Sequence, residues 1–435
     1  MRQNNPLFDI IQAQKEGKAR GIYSVCSSNE FVIEACLEEA RHSGEFVLIE
    51  STSNQVNQYG GYTGMNALQF SEMVKNIARD KNFPHERILL GGDHLGPNVW
   101  RKEPAVTAMQ KSCELVAASV RAGYSKIHLD ASMKCADDPL EKPLDIRVSA
   151  ARAAQMCRAA EQARVELLET AFAPCYIIGT EVPVPGGTLS GENELCITHP
   201  EDARQTIDVT REAFYKLGLQ EAWERVIALV VQPGVEFGDS SVIGYERSKA
   251  RDLSRFIEDY DHLVYEAHST DYQTPESLKQ MVEDHFAILK VGPALTFAFR
   301  EAVFALEIME QEWLKGKAGL TLSNLQAILE KVMLNNPEDW AKYYEGDERY
   351  LRFARKYSYS DRSRYYWPDA QVQASLGLLI DNLSRNPVPL SLLHQYMPLQ
   401  YKKVMAGNLD NHPIDLIYDR IIDQIKDYAR ACYGY

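Results

Sequence analysis

The 435 residues include 47 Lys and Arg against 61 Asp and Glu, a formal charge of −14, and 45% are hydrophobic. This composition is that of a folded globular chain and excludes a disordered, collagen-like or small disulfide-bonded protein. The acidic balance also makes a general nucleic-acid or anionic-membrane ligand a poor interpretation, and no run reaches the roughly 18 apolar residues of a membrane span.

The N-terminal twenty residues and the cysteines together predict a cytoplasmic protein. The N-terminal segment mixes charges early and lacks the apolar core of a signal peptide. The eight cysteines show no CxxC pair and no zinc-ribbon spacing, which favours reduced, buried thiols.

Eight short apolar runs recur along the first 300 residues, and each ends in small or polar residues. They predict strands at 21–28, 46–54, 87–97, 126–133, 176–187, 225–234, 263–270 and 286–296. Helical segments are predicted between them at 29–40, 66–80, 104–123, 145–165, 200–218, 247–259 and 275–285. This alternation is typical of βαβ units and a parallel sheet. Eight units favour an α/β fold closed as a (β/α)₈ TIM barrel over an open doubly wound sheet, because the first strand lacks a glycine fingerprint.

The barrel is predicted to span residues 1–310, which leaves 311–435 as a helical C-terminal extension packed on it. Helices are predicted there at 323–334, 337–345, 370–384, 389–395 and 413–431. The extension has little strand character and contains a segment rich in arginine and tyrosine, 357–369.

Polar residues stand repeatedly at the predicted strand ends, where TIM barrels place their active sites. They are Glu50, Asp93, His94, Lys126, His128, Asp130, Glu181, Gln232, Glu266, His268 and Lys290. A buried carboxylate costs several kcal/mol unless it is paired or bound. The convergence therefore favours a functional site, with a purely structural polar interior as the alternative.

Three of these residues predict a site for a divalent metal. His94, Glu181 and His268 end the third, fifth and seventh strands, and alternate strands contribute to one layer of a barrel interior. Two imidazoles and a carboxylate suit Zn²⁺ with one open position. A set richer in carboxylates, drawing on Asp93 or Asp130, would suit Mn²⁺ or Mg²⁺.

The candidate catalytic groups are the carboxylates of Asp93, Asp130 and Glu50. A metal in an open site would polarise a substrate carbonyl, and a neighbouring carboxylate would move the proton. No nucleotide cofactor is expected, because no glycine-rich stretch matches the GxxxxGK[ST] phosphate loop.

An anionic substrate would need local positive or N–H groups within this acidic chain. The candidate substrate-binding residues are Asn54, Gln232, Lys290, Gly292, Arg362 and Arg364. Gly292 follows the eighth strand, where barrels often hold phosphate with backbone N–H groups. Arg362 and Arg364 predict a bidentate anion clamp, with an arginine–aromatic packing seam as the alternative.

Several strand-end phrases resemble those of one protein family. ESTSNQVNQYGGYTGM, GGDHLGPNVW, KIHLDASM, YEAHSTDYQT, LKVGPALTFAFRE and SDRSRYYWP closely resemble the GatZ/KbaZ family, the Z subunits associated with class II D-tagatose-1,6-bisphosphate aldolase. The resemblance covers about residues 20–370 and, more loosely, the remainder. It implies a TIM barrel of the aldolase type, a role in galactitol, N-acetylgalactosamine or tagatose catabolism, and a sugar phosphate substrate. It also implies a partner, the catalytic Y subunit, whose activity and stability this chain would support.

The resemblance leaves other activities open. Relatives include metal-dependent ketose or ketose-phosphate 4-epimerases, and members have been named tagatose-6-phosphate kinases, although the sequence shows no kinase motif. Asp93-His94 resembles the class II aldolase pair in which the histidine binds zinc and the aspartate transfers a proton. Class II aldolases also use further histidines from later strands. This sequence differs from them there, because its sixth strand ends in Gln232 and its eighth strand contains no histidine. A Schiff-base aldolase using Lys126 or Lys290 is the least favoured alternative.

Overall fold

The computed structural model describes residues 5–139, 141–166, 172–179 and 195–434. Its strands are β1 (Ile22–Cys26), β2 (Val47–Thr52), β3 (Ile88–Leu95), β4 (Lys126–Leu129), β5 (Cys175–Gly179), β6 (Val226–Val231), β7 (Glu236–Phe237), β8 (Val242–Ile243), β9 (Val264–Ala267) and β10 (Phe286–Val291). Eight of them form a closed parallel barrel in the order β1-β2-β3-β4-β5-β6-β9-β10, and β7 and β8 pair as a separate antiparallel ribbon. The predicted TIM barrel is therefore confirmed.

Helices follow the barrel strands and then continue through the C-terminal part of the chain. Those before residue 315 are α1 (Leu7–Lys15), α2 (Glu30–Ser43), α3 (Ala67–Asp80), α4 (Ala105–Arg121), α5 (Ile146–Arg164), α6 (Pro200–Lys216), α7 (Gln220–Trp223), α8 (Arg247–Ile257), α9 (Pro275–Glu283) and α10 (Pro293–Leu314). The later ones are α11 (Leu325–Asn335), α12 (Glu348–Tyr357), α13 (Ala370–Arg385), α14 (Leu390–Tyr396), α15 (Pro398–Met405) and α16 (Pro413–Tyr433). None of the helices in the described ranges combines the length and hydrophobicity needed to cross a bilayer.

The barrel interior is apolar at the end where the strands begin. Near-continuous apolar strands bury both faces, as parallel sheets require. The N-terminal helix α1 closes this end, because Asn5 just before it donates to the carbonyls of Ser125 and Ala173, which precede β4 and β5. The residues of this layer include Leu7, Ile11, Ile22, Leu48, Leu89, Ile177, Val264 and Ile288.

The last helix of the chain returns to the barrel. Helix α16 packs against α2, α9, α10 and strand β1, and its Tyr428 hydroxyl donates to the Thr270 carbonyl at 2.8 Å. Residue 310, the predicted end of the barrel, falls inside α10. The division of the chain at that point stays a prediction, but the extension does lie on the barrel.

A short segment of the extension, residues 358–366, is held at the carboxyl end of the barrel and is called the mouth segment below. Asp361 anchors it to α10, accepting a hydrogen bond from the Thr296 hydroxyl at 2.6 Å and pairing with Arg300 at 3.2 Å. The Tyr272 hydroxyl, in the loop after β9, donates to the Tyr359 carbonyl at 2.6 Å. The extension thereby contributes residues to the wall of the barrel mouth.

Candidate metal centre

Above the apolar layer, the barrel interior holds a buried network of charges. Lys126 on β4 lies 2.6 Å from carboxylate oxygens of both Glu50 on β2 and Glu266 on β9, and none of the three side chains is exposed. Lys290 on β10 pairs with Glu50 and lies 3.1 Å from Oδ1 of Asp93. Each lysine therefore joins carboxylates from different strands, which is the pairing that buried charges require.

The neighbours of Lys290 keep its ammonium group charged. Burial opposes that charge, but Asp93, Cys26 and Glu50 outweigh it and hold the pKa of Lys290 well above its ordinary value. A Schiff base needs a neutral amine, usually produced by a depressed pKa. The charged groups around Lys290 therefore argue against it as a covalent nucleophile.

Three imidazoles and one carboxylate converge just above this network. Asp93 and His94 end β3, His128 lies in β4, and His268 follows β9 directly. One potential ligand atom from each of the four lies within 4.8 Å of all the others. The cluster is buried except for His94, which is partly accessible from the barrel mouth.

Each imidazole uses one ring nitrogen on an acceptor outside this cluster. The pairs are His94 Nδ1 with Asp130 (2.8 Å), His128 Nε2 with the Gly179 carbonyl (3.0 Å) and His268 Nε2 with Glu266 (2.9 Å). Carboxylates and carbonyls accept, so these nitrogens carry the hydrogen, and the other nitrogen of each neutral ring keeps its lone pair. Acceptors placed in this way orient metal-binding histidines in many proteins.

The donor set fits a divalent cation. The backbone N–H of His94 donates to His128 Nδ1 at 3.3 Å, yet that nitrogen also faces Asp93 Oδ1 at 3.2 Å. Two acceptors at this distance repel unless a proton or a cation lies beside them. The network and the cluster together contain two lysines, Lys126 and Lys290, and four carboxylates, those of Glu50, Asp93, Asp130 and Glu266. Their formal charges sum to −2 while every imidazole is neutral. A set of three imidazoles favours Zn²⁺ or a similar transition metal over Mg²⁺.

The surroundings of His268 and His94 shift the pKa values of these two histidines in opposite directions. Burial lowers the pKa of His268 to about 4, which keeps its ring neutral and able to bind a cation. Burial also opposes charge on His94, but Asp93 and Asp130 outweigh it and raise the pKa of His94 to about 9. A metal at this position would replace the His94 proton, so its binding should release protons.

Backbone strain marks the same end of the barrel. His94 and Ser269 have φ values of 46° and 52°, and Tyr272 and Asp361 have 64° and 44°. Non-glycine residues in this left-handed region cost about 1–3 kcal/mol each. Such strain clusters at functional sites because it aims side chains that regular backbone would point elsewhere.

A cavity of about 200 Å³ opens onto the cluster. Among the residues that line it are Cys26, Asn54, Asp93, His94, His268, Asp271, Lys290 and Gly292, and Arg364 and Tyr365 from the mouth segment. This volume is below the roughly 300–1,000 Å³ of pockets for drug-sized ligands and suits a small sugar. A larger cavity of about 630 Å³ extends from the ends of β5 and β6 between α5 and α6, but its lining contains none of the converging imidazoles.

The chain matches a known family over nearly its whole length. Residues 7–433 match the family model described as D-tagatose-1,6-bisphosphate aldolase subunit GatZ/KbaZ-like. The chain belongs to the GatZ/KbaZ-like family. It is thus a carbohydrate-related protein of the tagatose-bisphosphate aldolase group, as the strand-end phrases indicated.

Solved structures similar to this GatZ/KbaZ-like chain differ greatly in their closeness. A probable tagatose 6 phosphate kinase from Sinorhizobium meliloti 1021 is 43% identical, with 95% of this chain and 100% of that chain covered and a TM-score of 0.86. A fructose-bisphosphate aldolase from Campylobacter jejuni is 16% identical over 87% and 91%, with a TM-score of 0.47. The YdjI aldolase from Escherichia coli K12 is 10% identical over 85% and 94%, with a TM-score of 0.43. The sequence identity and TM-score of the two aldolases are too low to support a statement about function.

Those predicted catalytic and metal-binding residues that the structure describes lie close together. Asp93, His94 and His268 lie in the cluster, whereas Glu50 and Asp130 lie one contact away from it. Glu181, the predicted carboxylate ligand, lies outside the described residues. His128 was not predicted as a ligand, although its signal was present: it stands two residues after Lys126 and so faces inward on the same strand.

The predicted substrate-binding residues are more dispersed. Asn54 lines the cavity with an exposed side chain. Gln232 is buried and accepts hydrogen bonds from the backbone N–H groups of Gly234 (2.8 Å) and Val235 (3.1 Å), so it shapes the loop after β6. Arg364 lines the cavity, whereas the Arg362 guanidinium stacks 3.3 Å from the centre of the Tyr343 ring. Arg364 also packs on an aromatic ring, with its guanidinium 4.6 Å from the centre of the Tyr365 ring. Both arginines therefore belong to a packing seam, and the anion clamp stays a prediction.

Glu236, the first residue of β7, provides a test of these electrostatics. It is 1% exposed, and burial raises its pKa to about 7. An unfolded glutamate ionises at about pH 4.3. The unfolded state therefore binds fewer protons than the folded state between this pH and the pKa of Glu236, and stability falls as pH rises through that range. Glu236→Gln is expected to increase the free energy of unfolding by about 1–3 kcal/mol at pH 8 and by less at pH 5. Urea denaturation at the two pH values measures this, with the exposed Glu338→Gln as control; an equal gain at both pH values would contradict it.

Proposed function

We propose that this GatZ/KbaZ-like protein is a metal-dependent enzyme in its own right, a 4-epimerase of a ketose or ketose phosphate. The observation that carries the proposal is the convergence of three imidazoles and Asp93, whose potential ligand atoms lie within 4.8 Å of one another, beside a small cavity that Asp93, His94 and His268 line. A barrel with only a structural role does not require three converging histidines that each have one ring nitrogen hydrogen-bonded to a separate acceptor.

His94, His128 and His268 would hold the cation, with Asp93 beside it. When bound, the cation supplies Lewis acidity to sugar oxygens, which favours both deprotonation next to a carbonyl and aldol cleavage. Asp130, Glu266 and the Gly179 carbonyl keep the three rings in place.

Asp93 and Lys290 supply the proton transfer and the charge balance. Burial opposes charge on Asp93, but His94 and Lys290 outweigh it and hold the pKa of Asp93 well below its usual range. Inversion at C4 by cleavage of the C3–C4 bond begins when the C4 hydroxyl loses its proton and C4 becomes an aldehyde. The electron pair of the broken bond passes to the C1–C3 fragment, which becomes an enolate. C3 of this enolate then adds to the other face of the aldehyde, and the resulting C4 alkoxide takes the proton back. Asp93 accepts and returns that proton, while Lys290, 3.1 Å from Asp93 Oδ1, balances the charge of the Asp93 carboxylate. The reaction needs no co-reactant.

Metal analysis combined with NMR tests this proposal. The purified chain is expected to hold about one divalent ion and to interconvert tagatose 6-phosphate and fructose 6-phosphate. Treatment with EDTA should abolish turnover, and Zn²⁺ or Mn²⁺ should restore it. A chain that holds no metal, or one that holds metal and leaves both sugar phosphates unchanged, would refute the enzyme proposal.

A second candidate function is the accessory role, as the Z subunit of a class II tagatose-bisphosphate aldolase with a catalytic Y subunit. The family description favours it, as do four exposed apolar residues on α14 and α15, namely Leu390, Tyr396, Leu399 and Met405. It predicts co-purification with a Y subunit and higher aldolase turnover in the complex. Unchanged aldolase turnover on addition of this chain would exclude it. Adding ATP with tagatose 6-phosphate tests the kinase named for the Sinorhizobium relative.

A further inference from the structure

The loop after β9 places a carboxylate where barrels often bind phosphate. Oδ1 of Asp271 accepts hydrogen bonds from the backbone N–H groups of Gly292 (3.0 Å) and Ala294 (2.8 Å), at the N-terminus of α10. Asp271 is 3% exposed and lines the cavity. These two N–H groups are the donors that a phosphate would use after the last strand of the barrel. Asp271 already uses them, and its carboxylate would repel a second anion.

The loop holds Asp271 firmly in this position. The hydroxyl of Thr270 donates to the Lys290 carbonyl at 2.6 Å, and the Tyr428 hydroxyl on α16 donates to the Thr270 carbonyl at 2.8 Å. Ser269 and Tyr272, on either side, both adopt left-handed backbone. The loop is thus held by β10, by α16 and by the N-terminus of α10. Moving Asp271 away from the α10 terminus would break these contacts.

The mouth segment places a cation in the same cavity. Nη1 of Arg364 donates to the carbonyls of Ser360 and Asp361, and Nη2 donates to the Tyr365 hydroxyl at 3.1 Å. In the described part of the chain no carboxylate oxygen lies within ion-pair distance of this guanidinium, although the charges of Asp361 and Asp271 act on it from farther away. Lys290, the other cation of the cavity, is already balanced by Glu50 and Asp93. Arg364 is therefore the group able to compensate a substrate anion.

We propose that the substrate is a ketose with a single terminal anionic group, which Arg364 binds, and that the terminus of α10 admits no second phosphate. The anion is a phosphate or a carboxylate, since a guanidinium binds either in bidentate fashion. The identification of the ligand as a ketose rests on the proposed function, whereas the count and position of its anionic groups rest on Asp271 and Arg364.

Calorimetric titration of the purified, metal-containing protein measures this selectivity without turnover. The probes are tagatose, tagatose 6-phosphate, tagaturonate and tagatose 1,6-bisphosphate. The better of the two singly anionic sugars is expected to bind at least about 10-fold more tightly than both tagatose and the bisphosphate; which of the two is better identifies the anion. Equal binding of the bisphosphate or of free tagatose would overturn the proposal. Failure of epimerisation in the NMR assay would leave these affinities measurable, so the two proposals fail separately.

Two substitutions assign the effects to the residues. Arg364→Gln should weaken binding of the singly anionic sugar at least about 10-fold and leave tagatose unchanged, while the exposed Arg385→Gln should change neither. Asp271→Ala should tighten bisphosphate binding at least about 10-fold by freeing the α10 N–H groups. Asp271→Asn keeps a capping oxygen without the charge and serves if the alanine variant unfolds; it should give a smaller gain. Unaltered selectivity in folded Arg364→Gln and Asp271 variants would overturn the proposal.

Discussion

Replacing His128 with alanine is expected to remove the bound metal and to lower sugar turnover by at least about 100-fold. His128 supplies one of three imidazoles in the cluster, and its Nε2 is fixed by the Gly179 carbonyl at 3.0 Å. A catalytic zinc site with three protein ligands does not retain its metal well on two. Metal content per chain and NMR turnover of the ketose phosphates measure the two effects in the same preparation.

The control for this experiment is His85→Ala, because His85 is exposed in a short turn before β3 and has no part in the cluster. It should retain full metal content and turnover. His128→Gln preserves most of the buried volume and separates loss of the ligand from loss of packing. Full metal content in folded His128→Gln would show that His128 is only a buried, hydrogen-bonded residue.

The sequence predicts the barrel well because each strand carries its own local signal. The apolar, β-branched runs place the first strand at 21–28 and the third at 87–97, and the structure has Ile22–Cys26 and Ile88–Leu95. The extension is predicted less well. The helix predicted at 337–345 is wrong: the structure has a short 3₁₀ turn at Pro337–Asp339, and the next helix begins only after Asp347, whose side chain accepts from the Tyr350 N–H at 2.8 Å.

The position of His128 beside His94 has a physical cause in strand register. The prediction combined residues from alternate strands, as a regular barrel layer requires. Between β3 and β4 the register shifts after Gly92, and His94 adopts a φ of 46° within that irregularity. The shift brings the His94 and His128 rings to 5.0 Å between centroids although their strands are adjacent. The inward-facing position of His128 can be read from the sequence, but a bulge that follows no sequence motif, and with it the approach of the two rings, cannot be predicted from spacing.

The predicted phosphate-binding turn at Gly292 shows a similar limit. Gly292 has the sequence context of a phosphate-binding turn, yet its N–H group is taken by Asp271, 21 residues earlier in the chain. Asp271 follows β9 and looks like an ordinary loop aspartate in the sequence. Strand ends can be read locally, whereas which side chain fills a given turn depends on contacts between distant loops.

Replacing Lys126 with methionine is expected to cost about 3–5 kcal/mol in the free energy of unfolding. The ammonium lies 2.6 Å from carboxylate oxygens of both Glu50 and Glu266, and no atom of the three side chains reaches solvent. Methionine keeps the length of the chain but leaves two buried carboxylates short of a counter-charge. Urea denaturation measures the loss. Lys111→Met is the matched control, because its pair with Glu103, also near 2.7 Å, is partly exposed and should contribute less than about 1 kcal/mol.

A second substitution separates charge from packing in this network. Glu266→Gln added to Lys126→Met removes one of the carboxylates left unpaired, so the double variant should recover at least about 1–2 kcal/mol of the loss. The comparison is made after EDTA treatment, because Glu266 also orients His268 and its change would otherwise alter metal binding. If the double variant is no more stable than Lys126→Met, the loss in the free energy of unfolding comes from the changed packing of the side chain. The unpaired buried carboxylates would then not be its cause. If the double variant recovers, the loss comes from the unpaired carboxylates, and the role of Lys126 is to balance Glu50 and Glu266, the second of which also holds the His268 ring.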